Sequence, residues 1–549
     1  MRRSLHPLAS FRQRIVEFRA NLFNAHYKVN GKDPKAVSPE KVTLFDQNCN
    51  PKIQPCSNGV GKNQVLGHKK KGSPYRQILA ALVAQLGTIN TGMAFGFSAI
   101  ALPQLADRNS TVYVEKDSNE ASWIASSSAI GTPIGCILSG YLMDMLGRKL
   151  SLIITEIPSL LGWLTIFYAT NTPTMCIGRF LTGLGSGMVG APSRVYTSEV
   201  TQPHLRGALT AIASVGVSTG VLIEYTLGAF ISWKLTAGLS AFVPAAALIL
   251  MFLFPETPSY LVSVNKPDKA RESLQHFRST SYDLNEEMNA LVEFSNKNNL
   301  KRLTGFREIA GALIQPKARR PFLMLIMYFL IYQWTGTNAI TFYSVEIVEN
   351  SGIKLDKYMV TVFLGVVRLV FTIVACVACR KFGRRPMTFL SSIGCGMSMV
   401  GLSMYLWFRE YLGAGYAWIP ILCITGYTIA CTLGFLVIPW VMIGEVYPVQ
   451  IRGIIGGLTT MFAHSFVFTV VKTYPLLASS LSQHGTFLLY GCISLLGTIF
   501  FYVCLPETKD RSLQEIEDFY SGRNDSLNTG RRDVNTKVLQ MRKGQVLPT

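Results

Sequence analysis

The sequence carries little charge: only 15% of its 549 residues are Asp, Glu, Lys or Arg, against about 25% in soluble globular proteins. That shortfall excludes an ordinary water-facing surface. Acids are the scarcer sign, 32 against 52 Lys and Arg, for a net charge of +20. Such a balance could suit nucleic acid. The basic residues, however, gather in the amino-terminal tail, a long central loop, short Gly-Arg loops and the carboxy-terminal tail. No arginine–aromatic stripe for stacking single strands is present, so no nucleic-acid partner is expected. Lys and Arg collect on the cytoplasmic side of membrane proteins, so both termini are expected there.

Other signals are lacking too. The 11 cysteines form no framework, since Cys136, Cys376, Cys379, Cys395, Cys431 and Cys492 fall inside apolar blocks, where a thiol packs as a small hydrophobe. Ligand spacing for a metal is missing. No nucleophile–base pair points to an enzyme, and no cofactor is called for. Gly59-Val60-Gly61-Lys62 lacks the spacing and the Ser or Thr of a phosphate loop. Residues 1–75 have no apolar core for a signal peptide, so the first spanning helix is expected to act as its own insertion signal.

What is abundant is apolar sequence: 49% of the chain is hydrophobic, in blocks of the roughly 20 residues that span a bilayer. Spans are expected near 76–102, 122–143, 151–169, 175–197, 208–231 and 234–254, then 321–348, 358–380, 386–407, 417–443, 454–478 and 486–505. The expected organisation is a basic tail (1–75), a six-helix half (76–254), a central loop (255–320), a second half (321–505) and a tail (506–549). Phe11, Ile15, Phe18 and Leu22 share a helical face, which suits either a basic helix on the inner leaflet or an unstructured tail. Residues 28–73 are expected to be unstructured. The central loop reads as short amphipathic helices or as a flexible tether. Asn109 in Asn109-Ser110-Thr111 is a glycosylation acceptor expected outside, whereas Asn524 lies on a cytoplasmic tail.

Internal repetition is the most informative feature. Glu199 precedes Arg206-Gly207 by seven residues, and Glu445 precedes Arg452-Gly453 by seven. Gly147-Arg148-Lys149 recurs as Gly383-Arg384-Arg385, in the same order and at nearly the same offset. Duplicated halves are an architecture of secondary carriers. Matched Glu and Arg at a helix interface hold strongly when dry and separate cheaply once wetted. Arg148, Glu199, Arg206, Glu256, Arg384, Arg385, Glu445 and Arg452 are therefore expected to build an inner gate. Positive-inside anchoring is the alternative.

The sequence resembles the sugar porters of the major facilitator superfamily over roughly residues 76–520. The resemblance rests on Gly140-Tyr141-Leu142-Met143-Asp144-Met145-Leu146-Gly147-Arg148-Lys149, Gly178-Arg179 and Pro255-Glu256-Thr257-Pro258. It continues in Gln333-Trp334-Thr335-Gly336-Thr337-Asn338, Ile438-Pro439-Trp440 and Pro506-Glu507-Thr508. Within the family it is most similar to the insect facilitated trehalose transporters, on Met442-Ile443-Gly444-Glu445 and Lys472-Thr473. The resemblance implies an all-α membrane protein: twelve transmembrane helices in two six-helix halves around a cavity for a sugar or polyol. It implies sugar contacts at Gln333, Asn338 and Trp440, because amides both donate and accept and aromatic faces cover the C–H face of a sugar ring. Interhelical bonding is the alternative for the amides. Ser214, Tyr332, Arg368 and His464 stand where the family's hexose carriers have other residues, Val467 likewise, and Arg380 replaces an acid. These departures leave trehalose, a hexose, a polyol or another solute open.

Two charges lie inside spans: Glu224, about seven residues or roughly 10 Å from the outer end of the fifth, and Arg368, about ten residues or roughly 15 Å deep in the eighth. Unpaired charges at that depth are costly, so an ion pair between them across the two halves is expected. Ser98 stands where the resembling proton-coupled porters carry an acid, which favours facilitative uniport at the cell membrane. Proton coupling through Glu224 and a non-transporting sensor are the alternatives.

Overall fold

The computed structural model describes residues 74–521 except 117, 279–283, 300–310, 312, 354, 413–415, 417, 449–450, 510 and 512. The 8–23 segment, the 28–73 stretch with Gly59–Lys62, and Asn524 lie outside the described residues. Among those described, ten helices are long and apolar enough to cross a membrane: Pro74–Leu105, Asn119–Leu146, Arg148–Phe167, Pro203–Phe230, Trp233–Met251, Lys357–Phe382, Arg384–Tyr411, Ile419–Val446, Arg452–Ser480 and Ser482–Cys504. Two more complete the twelve. Thr172–Val200, the fourth in chain order, has 29 residues but carries Arg179, Arg194 and Glu199. At 1.5 Å per residue it is about 43 Å long, ample for a bilayer. The seventh is broken into Pro316–Trp334, Thr337–Phe342 and Ser344–Asn350. The first is also interrupted, at Gln85, where the apolar pattern alone suggested a continuous rod.

Helix ends follow local capping rather than the limits of the apolar windows. The second span starts three residues earlier than expected because Ser118 accepts the Ala121 N–H, the standard N-cap bond. It stops at Gly147, whose φ of 92° is unfavourable for any residue with a Cβ. Between helices, small residues set close approach. Cβ atoms at Gly131 and Gly135 of the second span would run into the Phe180 and Leu184 backbone of the fourth, and those at Gly183 and Gly187 into Ser128 and Thr132.

One end of the bundle, here the proximal end, holds the second-to-third and eighth-to-ninth turns. It also holds the segment between the sixth and seventh spans, which carries helices Pro258–Ser263, Pro267–Arg278 and Leu284–Asn299. Arg278, 2% exposed, pairs with Glu287 at 2.7 Å and donates to the Val200 carbonyl, fastening this segment to the end of the fourth span. The opposite end is the distal end.

Candidate functional site

At the proximal end the repeated motifs build the same device twice. Arg148 pairs with Glu199 at 3.1 Å, and Thr257 donates to the second Glu199 oxygen. In the other half Arg384 pairs with Glu445, and Thr508 donates to Glu445 Oε2 at 2.7 Å. Glu256 accepts the backbone N–H groups of Arg148 and Lys149, and Glu507 those of Arg384 and Arg385. Each carboxylate thus sits on a helix N-terminus, where the N–H groups and the dipole favour an anion. Burial pushes the Glu256 carboxyl above its usual range, opposed by the N–H bonds from Thr257, Lys149 and Arg148.

These pairs differ from the expected gate in one respect: each joins helices of a single half. Arg148, Glu199 and Glu256 belong to the first, and Arg384, Arg385, Glu445 and Glu507 to the second. Arg385 donates to the Tyr502 carbonyl, again inside the second half. Arg206 is exposed, and Arg452 donates to the Tyr447 carbonyl. The two pairs form because the proximal turn brings each Gly-Arg motif beside the end of the span two helices later.

The halves meet along their length: near the proximal end Arg380 stands beside Gly207, and several polar contacts lie toward the distal end. Lys116 of the first half reaches Glu349 of the second at 3.3 Å, and Lys357 holds the other Glu349 oxygen at 3.0 Å. Lys472 donates to Asn119 Oδ1 at 2.9 Å and stands 4.1 Å over the Trp123 ring. Deeper, Tyr225 donates to the Thr341 carbonyl and Ser218 bonds Thr372. Asn109 is exposed beside this end.

Between the two ends the break in the seventh span gathers the polar residues. Gly336 takes a φ of 92°, and a Cβ there would press on the Tyr490 ring. The helix therefore restarts at Thr337, and Asn338 Nδ2 donates to Gln333 Oε1 across the break. Trp440 packs edge-on to Phe329, one turn before Gln333, and against the His464 ring at 5.5 Å. His464 lies 3.9 Å from Cys136 of the first half. Gln333 and Asn338 thus pair, both buried, at the break, while Trp440 and His464 pack together one turn away against Phe329. Tyr332 is buried between Phe329 and Phe435, and Ser214 is half-buried on the fifth span.

The expected ion pair is not formed. Glu224, fully buried, accepts from Ser240 at 3.0 Å within the first half, and Arg368 donates to Thr341 at 2.8 Å. The reason is helical phase. Gly216, Gly220, Glu224 and Gly228 share one face of the fifth span, packed on Thr88, Ile89, Gly96 and Ile100 of the first. The eighth span meets a different face, Leu222 and Tyr225 against Gly365. Glu224 instead lies within electrostatic reach of Arg179. Fully buried Arg179 donates to Ser98 Oγ at 2.6 Å, to Ser128 Oγ, and to the Ala94 and Ile124 carbonyls.

One residue escaped the sequence reading. Arg194 of the fourth span lies 5.6 Å over the Trp440 ring, so the two halves meet there. Its signal was a second arginine in a span already marked by Gly178-Arg179.

A sequence profile described as sugar (and other) transporter matches residues 80–520. The chain belongs to that family. The facilitated trehalose transporter Tret1 of Apis mellifera ligustica is 32% identical over 493 residues, covering 88% of this chain and 96% of that protein. Tret1 of Culex quinquefasciatus is 31% identical, covering 82% of this chain and 86% of the relative. Among solved structures, the major facilitator proton:xylose symporter XylE bound to 6-bromo-6-deoxy-D-glucose aligns with a TM-score of 0.68 at 22% identity, covering 81% of this chain and 99% of that one. The inward-open form of XylE from E. coli aligns at 0.67 and 21% identity, covering 81% and 99%. The fold is the twelve-helix major facilitator fold, and a transporter of this family is not an enzyme.

Proposed function

We propose that this chain is a facilitative sugar transporter of the cell membrane that works by alternating access, with both termini cytoplasmic. The relatives named above make trehalose the first candidate sugar and hexoses the next. The observation that carries the reading is the Gln333–Asn338 pair held at the seventh-span break, with Trp440 packed on Phe329 one turn away. Gln333, Asn338 and Trp440 bind the sugar, with His464, Ser214 and Tyr332 shaping its surroundings. The proximal pairs Arg148–Glu199 and Arg384–Glu445 act as the gate by stiffening each half as a rocking body, helped by Glu256, Arg385, Arg206 and Arg452. Asn109 carries glycan on the outer face. Uniport is favoured because Arg179 donates to a hydroxyl, Ser98, which holds no titratable proton in the physiological range.

A second reading, proton symport, has its own observation: one oxygen of buried Glu224 has no hydrogen-bond partner among the described residues. Uptake of labelled trehalose, glucose and fructose into proteoliposomes, with and without a pH gradient, separates the two. Equilibration without accumulation supports uniport, and accumulation driven by the gradient supports symport. If no sugar enters, the transport reading fails.

A further inference from the structure

Two arginines inside the spans, Arg194 and Arg368, have no carboxylate partner among the described residues. The Arg194 guanidinium stands over Trp440 and donates no hydrogen bond to any described residue. Arg368 spends one N–H on Thr341, while its Nε–H is buried without a hydrogen-bond partner among the described residues. Four acids of the neighbouring spans are placed elsewhere. Glu199 and Glu445 hold Arg148 and Arg384, Glu224 faces Ser240 inside the first half, and Glu156 is buried beside Gly87.

A chain of contacts ties both arginines to the amides. Arg194 touches Trp440, Trp440 touches Phe329, and Gln333 follows one turn on, bonded to Asn338. Thr341, the partner of Arg368, is three residues further along that helix. Space adjoins the Arg194 end. A Cβ added at Gly190, Gly444 or Gly140 would meet nothing within 4 Å, and these lie one turn from Arg194, Trp440 and Cys136. An arginine within a span is costly unless it faces water or a partner.

We propose that the solute carried is an anion: a hydroxyl-rich molecule bearing a carboxylate or phosphate, such as a uronic acid or a sugar phosphate. Its acidic group is held by Arg194, whose planar fork matches either anion bidentately. Arg368 adds attraction from the far side of Gln333 and Asn338, which bind the hydroxyls. This rests on the transport reading and puts an acidic sugar in place of the neutral ones named there.

The test is binding and flux of glucuronate, glucose 6-phosphate, glucose and trehalose with purified full-length protein in proteoliposomes. At least one anion should compete at a concentration tenfold or more below that of either neutral sugar. Arg194→Gln should weaken that anion about 10- to 100-fold, the loss expected for a hydrogen-bonded charge, and Arg194→Lys should recover part of it. Arg194→Gln should keep the wild-type gel-filtration profile and thermal midpoint in detergent, which shows that the variant is folded. Neutral sugars that bind and move as well as both anions overturn the anion proposal while leaving transport standing. Failure of all four solutes to bind or move overturns both.

Discussion

Loss of the Glu445 carboxylate tests whether the proximal pairs act inside each half. In Glu445→Gln, Arg384 loses its counter-charge and Thr508 loses a charged acceptor. Breaking a fully buried pair from one side costs about 3–5 kcal/mol. The two side chains are 15% and 24% exposed, and screening by that solvent lowers the expectation to about 1–3 kcal/mol. Chaotrope unfolding in mixed micelles of Glu445→Gln, Arg384→Gln and the double variant gives the coupling directly. The double variant should lose about 1 kcal/mol or more less than the sum of the singles, since removing both partners leaves no orphan charge. A cycle between Arg384 and Glu199 should show no coupling. Additive singles for Arg384 and Glu445, or strong coupling of Arg384 to Glu199, would refute the assignment of these pairs to separate halves.

Three further outcomes follow from the same geometry. Gly147→Ala forces a Cβ residue to a φ of 92° against Glu256 and should cost about 1–3 kcal/mol, read as lost folded yield in detergent. Asn338→Ala removes the partner of Gln333 and should weaken solute binding about tenfold, in line with one hydrogen bond of about 1.5 kcal/mol, measured by competition. Asn109→Gln should abolish the mobility shift that a deglycosidase produces on protein from a glycosylating host, while an unshifted wild-type chain would place that loop elsewhere.

The parts of this molecule that were legible in the sequence are those written as local pattern. Gly147-Arg148 and Gly383-Arg384 announced the helix turns because a positive φ and a partner carboxylate must both be encoded there. The duplicated Glu199 and Glu445 showed which charges would meet, but not that they would meet within a half. That depends on which helix ends the turn brings together. The fourth and seventh spans carry charge or a break, so their membrane character rests on their neighbours. Glu224 and Arg368 were matched by depth on two spans expected to be neighbours across the halves. Depth ignores phase, and the Gly216, Gly220 and Gly228 ridge beside Glu224 was the clue that it faced the first span. Arg194 over Trp440 joins two halves across 246 positions of sequence, and no local pattern announces such a contact.

The most direct measurement of the central claim is counterflow. Proteoliposomes preloaded with an unlabelled solute from the neutral and acidic panel receive a trace of the same solute carrying label. A carrier that alternates one binding site between two faces accumulates label transiently above equilibrium, and Asn338→Ala should flatten that peak. Simple equilibration without overshoot for every solute, in protein shown to be folded, would contradict the account.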